Sequence, residues 1–241
     1  MDQNTTASLI STANLISATL DTDPDAWRDR LQIIRDITAS LEILDTVPDQ
    51  TRKQWQLPLI AAFQRVAFAD ADSGGVLDIA NWCLRQELAM HALYPDDVDL
   101  LALTGQNWLQ RAQKSLAKIH ATERHSSSSG GSADVPLSRS EEVQRRIRAA
   151  IEAEDRLSTA DYVEARGILL PATEYLKRAV VAARTQGAVT GNLLSMAAEA
   201  YMSLGNVSSS RVNEPYFIEA RAYLREASAI HGYSLALHLD Q

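Results

Sequence analysis

The chain has 241 residues, 46% of them apolar and 22% charged, with one cysteine and a net charge of −8 from 23 basic and 31 acidic side chains. That length suits one large domain or two small ones, and the apolar fraction excludes a chain disordered throughout. The acidic balance argues against nucleic-acid binding, which needs a positive field to displace counterions from phosphate. A lone Cys83 excludes an internal disulfide framework.

The opening residues Met1-Asp2-Gln3-Asn4 lack the positive charge of a secretory signal, and no arginine follows in the stretch where a transit peptide would carry one. An intracellular protein, cytoplasmic or nuclear and not secreted, is expected. No apolar run approaches the roughly 18 residues of a membrane-spanning helix. Runs of alternating valine, isoleucine and threonine are absent, as are Asn-Gly and Asp-Gly hairpin signals, so no sheet is expected.

Prolines and glycines punctuate a chain dominated by helix formers, and the apolar spacing predicts about ten helices. They cover 5–20, 24–45, 50–70, 75–93, 97–122, 140–156, 159–184 with a kink at Pro171, 191–206, 215–230 and a short last one at 233–239. In the first, Leu9, Ile10, Ala13, Ile16 and Leu20 draw an apolar stripe. Its polar face has no lysine or arginine, so it reads as a packed helix and not a membrane-surface one. Asp23 as cap and Pro24 in the first turn open the second helix, whose stripe is Ile33, Ile34, Ile37, Leu41 and Leu44. Asp21, Asp23 and Asp25 do not make a calcium loop, because Ala26 and Gln32 stand where a glycine and a glutamate are required.

Cys83 has no base at a neighbouring helical step and reads as a buried thiol. Gly74-Gly75 has neither a strand before it nor a lysine after it, so it is no phosphate loop. Asp96, Asp97 and Asp99 suit the positive start of a helix. The serine- and glycine-rich stretch 125–139 reads as a long flexible loop inside the domain. Phosphate on its serines would meet Arg139 or Arg145. The cluster Arg139, Arg145, Arg146 and Arg148 is balanced by Glu141, Glu142 and Glu152 and reads as a solvated face. The last long helix carries Phe217, Ala220, Leu224, Ala227 and Ile230 on one stripe.

Chemistry is sparse. None of His91, His120, His125, His231 and His238 pairs at metal-ligand spacing, and no His-Glu-x-x-His or Gly-x-Ser-x-Gly occurs. Glu152 and Asp155 are spaced like many surface pairs. No catalytic residue, cofactor or metal is assigned, and an enzyme is not expected.

Two segments are alike: Tyr162-Val-Glu-Ala-Arg-Gly-Ile-Leu-Leu-Pro-Ala172 and Phe217-Ile-Glu-Ala-Arg-Ala-Tyr-Leu-Arg-Glu-Ala227, with a weaker echo at Ala112, Leu116 and Ile119. Small residues at those places let a neighbouring helix approach closely. With Leu194, Ala198, Tyr201 and Gly205 ahead of Ala220, Leu224 and Ala227, and with Pro95, Leu101, Gly105 and Trp108 earlier, the chain resembles the tetratricopeptide-repeat family. Leu224 stands where the family places an aromatic. The resemblance covers residues 76–231; residues 1–75 carry helical period without the repeat signature. It implies a single all-α domain over 1–241, a right-handed TPR-like superhelix or solenoid. The Ser/Gly loop would interrupt one repeat, with 140–156 as that repeat's second helix.

By the same resemblance the first helix of each repeat lines an inner face. Its positions would be Asp99, Ala102, Gln106 and Leu109 in one repeat and Asn192, Ser195, Glu199 and Met202 in another. Chaperone-docking members carry lysine and asparagine where this chain has Ala102, Gln106, Ser195 and Glu199, so binding of a chaperone C-terminal tail is not expected. The expected function is a non-enzymatic protein–protein interaction module, a scaffold or adaptor that takes a peptide or a partner helix, with no nucleic acid and no membrane. The alternatives are an obligate structural subunit or assembly chaperone and, less favoured, an all-helical enzyme.

Overall fold

The computed structural model describes residues 3–43, 52–128 and 139–239. Among these residues every regular element is helical. In chain order they are α1 (Gln3–Thr22), a 3-10 turn (Pro24–Ala26), α2 (Trp27–Ile43), α3 (Arg52–Ala67), α4 (Leu77–His91), α5 (Val98–Ser128), α6 (Arg139–Arg156), α7 (Ala160–Gln186), α8 (Gly191–Asn206) and α9 (Glu214–Ser228). That is nine α-helices in the described residues, one fewer than the spacing predicts. None of them is long and apolar enough to cross a membrane.

The missing element is the short last helix: 233–239 is irregular, ending in a turn. α5 also runs on through Ser128, so the expected loop does not begin at His125; its remainder up to residue 138, with three of its six serines, lies outside the described residues. α7 continues through Pro171 as a single element. Buried Ala165 and Leu169 before the proline, and Ala172 and Leu176 after it, hold both halves against the same neighbour.

Two apolar clusters meet on α5. The first joins α1, α3 and α4, with Ile34 from α2; Leu100 and Leu103 close it from α5. Leu9, Ala13, Ile16 and Leu20 of α1 are all buried there, as their stripe predicts. α2 buries less than its pattern implies: Ile34 is fully buried, but Ile33 is 44% exposed and Ile37 and Leu41 are half-buried. Asp23 caps the turn before it by accepting from the Asp25 amide at 3.1 Å. The second cluster joins α5, α7, α8 and α9.

α5 and α7 lie antiparallel over most of their lengths. Tyr162 donates to Glu123 at 2.6 Å and Ser115 to Glu164 at 2.8 Å near one end; Arg178 and Gln186 donate to the Pro95 and Asp96 carbonyls at the other. Between them the backbones approach at Gly105, where a Cβ would stand 2.5 Å from Leu176 Cγ. This corrects the pairing drawn from the repeat pattern: the helix that lies along α5 is α7, not 140–156. The reason is the seam. α7 offers Ala165, Ala172 and Ala179, which admit a close neighbour. α6 carries branched Val143, Ile147 and Ile151 between arginines, and these remain 50%, 56% and 57% exposed. α8 and α9 form the next pair. Arg166 joins the two pairs, donating to the Val207 carbonyl at 2.6 Å and the Leu157 carbonyl at 2.7 Å.

A buried polar network fixes α3, α4 and α5 against one another. Asn107 donates to Gln64 Oε1 at 2.8 Å and lies 3.5 Å from Glu87 Oε1, while Gln64 donates to the Leu103 carbonyl at 3.1 Å. Arg111 donates to Asn107 Oδ1 at 2.7 Å and to Asn81 Oδ1 at 2.9 Å. Glu87 is fully buried, and desolvation pushes its carboxyl up to about 8 against the smaller opposing pull of Asn107 and Arg111. Cys83, one helical turn before it, is buried as expected.

Candidate functional site

α5 and α8 share one groove. Each starts from a defined cap: the Leu100 amide donates to Asp97 Oδ1 at 3.0 Å, and the Leu193 amide donates to Thr190 Oγ1 at 3.2 Å. Those caps fix where each helix begins. Residues three and four apart share a face, so α5 presents Gln106, Leu109, Gln110 and Gln113, and α8 presents Asn192, Ser195, Met196 and Glu199. The cleft between them has a volume of about 380 Å³. It adjoins a second recess of about 330 Å³ that shares Gln113 and Glu199 and runs on to His120, Arg124 and Ser203.

The segment after α9 crosses this groove and roofs the first cleft with Tyr233, Ala236, His238 and Leu239. The Tyr233 hydroxyl donates to Ser195 Oγ at 2.9 Å. Its ring lies on the backbone of Gly191, where a Cβ would come within 2.2 Å of ring carbon; any larger residue there would lift the ring away.

Two features of the groove are electrostatically unsettled. Burial raises the Glu199 carboxyl above the ordinary glutamate range, and the positive charge His238 carries when protonated opposes that shift. Gln110 Oε1 is buried and finds no hydrogen-bond partner among the described residues. An unmet buried acceptor costs about 1–3 kcal/mol.

Of the inner-face positions expected from the sequence, Gln106, Leu109, Asn192, Ser195 and Glu199 come together in this cleft. Asp99 stays exposed on the first turn of α5, outside it. Ala102 and Met202 pack against the second apolar cluster. Gln110 and Gln113 were missed, although with Gln106 they stand at i, i+4 and i+7, a spacing legible in the sequence. Tyr233 and Leu239 were missed because their segment reads as a helix. Among the described residues no group of three or more His, Cys, Asp or Glu could hold a metal ion.

Fold and groove together define an all-helical protein whose antiparallel helix pairs leave an amide-lined cleft between α5 and α8. Set against protein-family models, curated proteins and solved structures, the chain finds no match.

Proposed function

We propose that this protein is a non-enzymatic interaction module, a TPR-like scaffold or adaptor acting inside the cell, that holds an extended peptide segment of a protein partner in the α5–α8 groove. The observation that carries the reading is the lining of the cleft, where α5 sets Gln106, Gln110 and Gln113 opposite Asn192 and Ser195 of α8. A glutamine amide offers donors and an acceptor, matching the alternating groups of a peptide backbone. The pairs α5/α7 and α8/α9 support the TPR-like part of the reading, because the first helix of each pair is the one that lines the groove.

Panning the full chain against a random peptide display library tests this. Selected peptides are expected to bind at least ten-fold more weakly to Glu199→Arg, with the melting temperature little changed, since Glu199 sits on the groove wall. Failure to select any binder, or binders indifferent to Glu199→Arg and to Gln110→Leu alike, would overturn it.

One observation favours a second reading, that of a structural subunit docked into a larger complex. The stripe Val143, Ile147 and Ile151 on α6 is at least half exposed, and apolar faces of this kind mark contact surfaces. On that reading the triple variant Val143→Ser/Ile147→Ser/Ile151→Ser runs as a smaller species than the wild type in size-exclusion chromatography. Identical elution of the two would remove it.

A further inference from the structure

The strap formed by Tyr233–Leu239 is held at its two ends and by Leu235, which is half-buried and packs against the second apolar cluster. Tyr233 is anchored by Gly191 and Ser195, and Leu239 is 8% exposed. Between these anchors Ser234, Ala236, Leu237 and His238 are exposed, Leu237 at 87%. The strap's backbone bonds are local: the Tyr233 amide donates to the Ile230 carbonyl at 3.1 Å and the Leu239 amide to the Ala236 carbonyl at 2.8 Å. Its hold on α5 and α8 therefore rests on side chains. Beside it lies the cleft of about 380 Å³, lined by Gln106, Gln110 and Gln113. Protein interiors are otherwise close-packed. A segment that covers a polar cleft without filling it, and that leaves Leu237 in solvent above it, is held by three side chains, Tyr233, Leu235 and Leu239, and not along its whole length.

We propose that Tyr233–Leu239 is a resident occupant of the groove, and that the protein partner displaces it with a segment bearing the same anchors in the same order. The proposal rests on the reading of the groove as a peptide site and adds the chemistry of the peptide. The first anchor is a hydroxyl-bearing aromatic whose ring lies on Gly191 and whose hydroxyl reaches Ser195. Five positions later comes a basic residue facing Glu199, where His238 now stands. The next position is apolar and takes the place of Leu239. An apolar residue two places after the aromatic takes the place of Leu235, and a better ligand than the strap would also turn backbone polar groups toward the glutamine amides of α5.

Because the strap is tethered, it competes at the high effective concentration of a short intramolecular linker. The partner's apparent affinity is then reduced by the fraction of chains in which the groove is open. The probe is a fluorescein-labelled heptapeptide of the strap's own sequence, Tyr-Ser-Leu-Ala-Leu-His-Leu, titrated by anisotropy into the full chain. Tyr233→Ser/Leu235→Ser/Leu239→Asp, which releases all three anchors, is expected to bind it at least ten-fold more tightly than wild type. Adding Glu199→Arg should abolish the gain. Equal binding to wild type and released chains, or no binding to the released chain, overturns the proposal.

A second measurement needs no variant. Saturating unlabelled heptapeptide added to isotope-labelled wild-type chain is expected to move the Leu237–Leu239 resonances to unstructured positions while those of α1 to α4 stay in place. Strap resonances that do not move overturn the proposal. Library binders that are lost in Glu199→Arg yet leave the strap in place would sink the strap's role and leave the module reading standing; a chain that selects no groove binder sinks both.

Discussion

Glu87→Gln is expected to stabilise the protein at alkaline pH and to leave it nearly unchanged near pH 5. The Glu87 carboxyl sits at about 8 in the fold against an ordinary value of 4.5, chiefly because burial penalises its charge. The folded chain therefore binds more protons than the unfolded chain between those values, and stability falls as pH rises where that holds. The stability this group supplies is fully present below about pH 4.5 and is lost as pH climbs through about 8. A tenfold change in proton affinity is worth about 1.4 kcal/mol, so the wild type gives up on the order of 2–4 kcal/mol across the window. Glutamine keeps the shape and a carbonyl acceptor for Asn107 without the charge. Urea melts of both proteins at pH 5, 6.5, 8 and 9 should show the variant's advantage growing from near zero to a few kcal/mol. An advantage that does not change with pH would show that Glu87 keeps its charge in the folded chain.

Gly105→Ala is expected to destabilise, against the usual helix rule. In an open helix the change gains about 1 kcal/mol. Here the added methyl would lie 2.5 Å from Leu176 Cγ, 2.9 Å from Cδ2 and 3.2 Å from the Leu176 backbone nitrogen. The side chain is fully buried and the nitrogen belongs to α7 itself, so neither yields without moving the helix. Overpacking of this kind costs about 1–3 kcal/mol; with contacts this short the cost falls at the upper end, and a net loss of about 1–2 kcal/mol is expected, a few degrees in melting temperature. Leu176→Ala alone should cost about 2–5 kcal/mol through its cavity. In that background Gly105→Ala should turn neutral or stabilising, because the methyl then fills space. The double-mutant cycle measures this coupling, and additive effects would place α5 and α7 farther apart than the structure has them.

The groove was legible as far as helical periodicity reaches. Gln106 and Leu109 on one helix, and Asn192, Ser195 and Glu199 on the other, each share a face because of their spacing. The strap was not legible. Tyr-Ser-Leu-Ala-Leu-His-Leu has the composition of a short helix, and its course is set by Gly191 and Ser195, about forty residues earlier. Glu87 was passed over for the same reason. Within Arg85-Gln86-Glu87-Leu88 it resembles a solvated glutamate, and its burial depends on Asn107 and Arg111 from the next helix.

What the sequence by itself determined was local: where helices begin, through Asp23, Asp97 and Thr190 as caps, and that the described residues form helices and not strands. Those choices depend on backbone sterics and on bonds between residues a few positions apart. Tertiary structure alone decided partnership. α5 took α7 and passed over the nearer α6 because alanines and Gly105 allow two backbones to approach, whereas α6 offers branched side chains. On α9 the buried aromatic is Tyr223, one place before the Leu224 that the repeat pattern puts in the seam. Ala220 and Ala227 keep the expected stripe buried, with Leu224 half-buried beside them; which of two neighbouring side chains is wholly covered is settled by the fit of whole surfaces, here by Tyr201 at 5.8 Å from the Tyr223 ring.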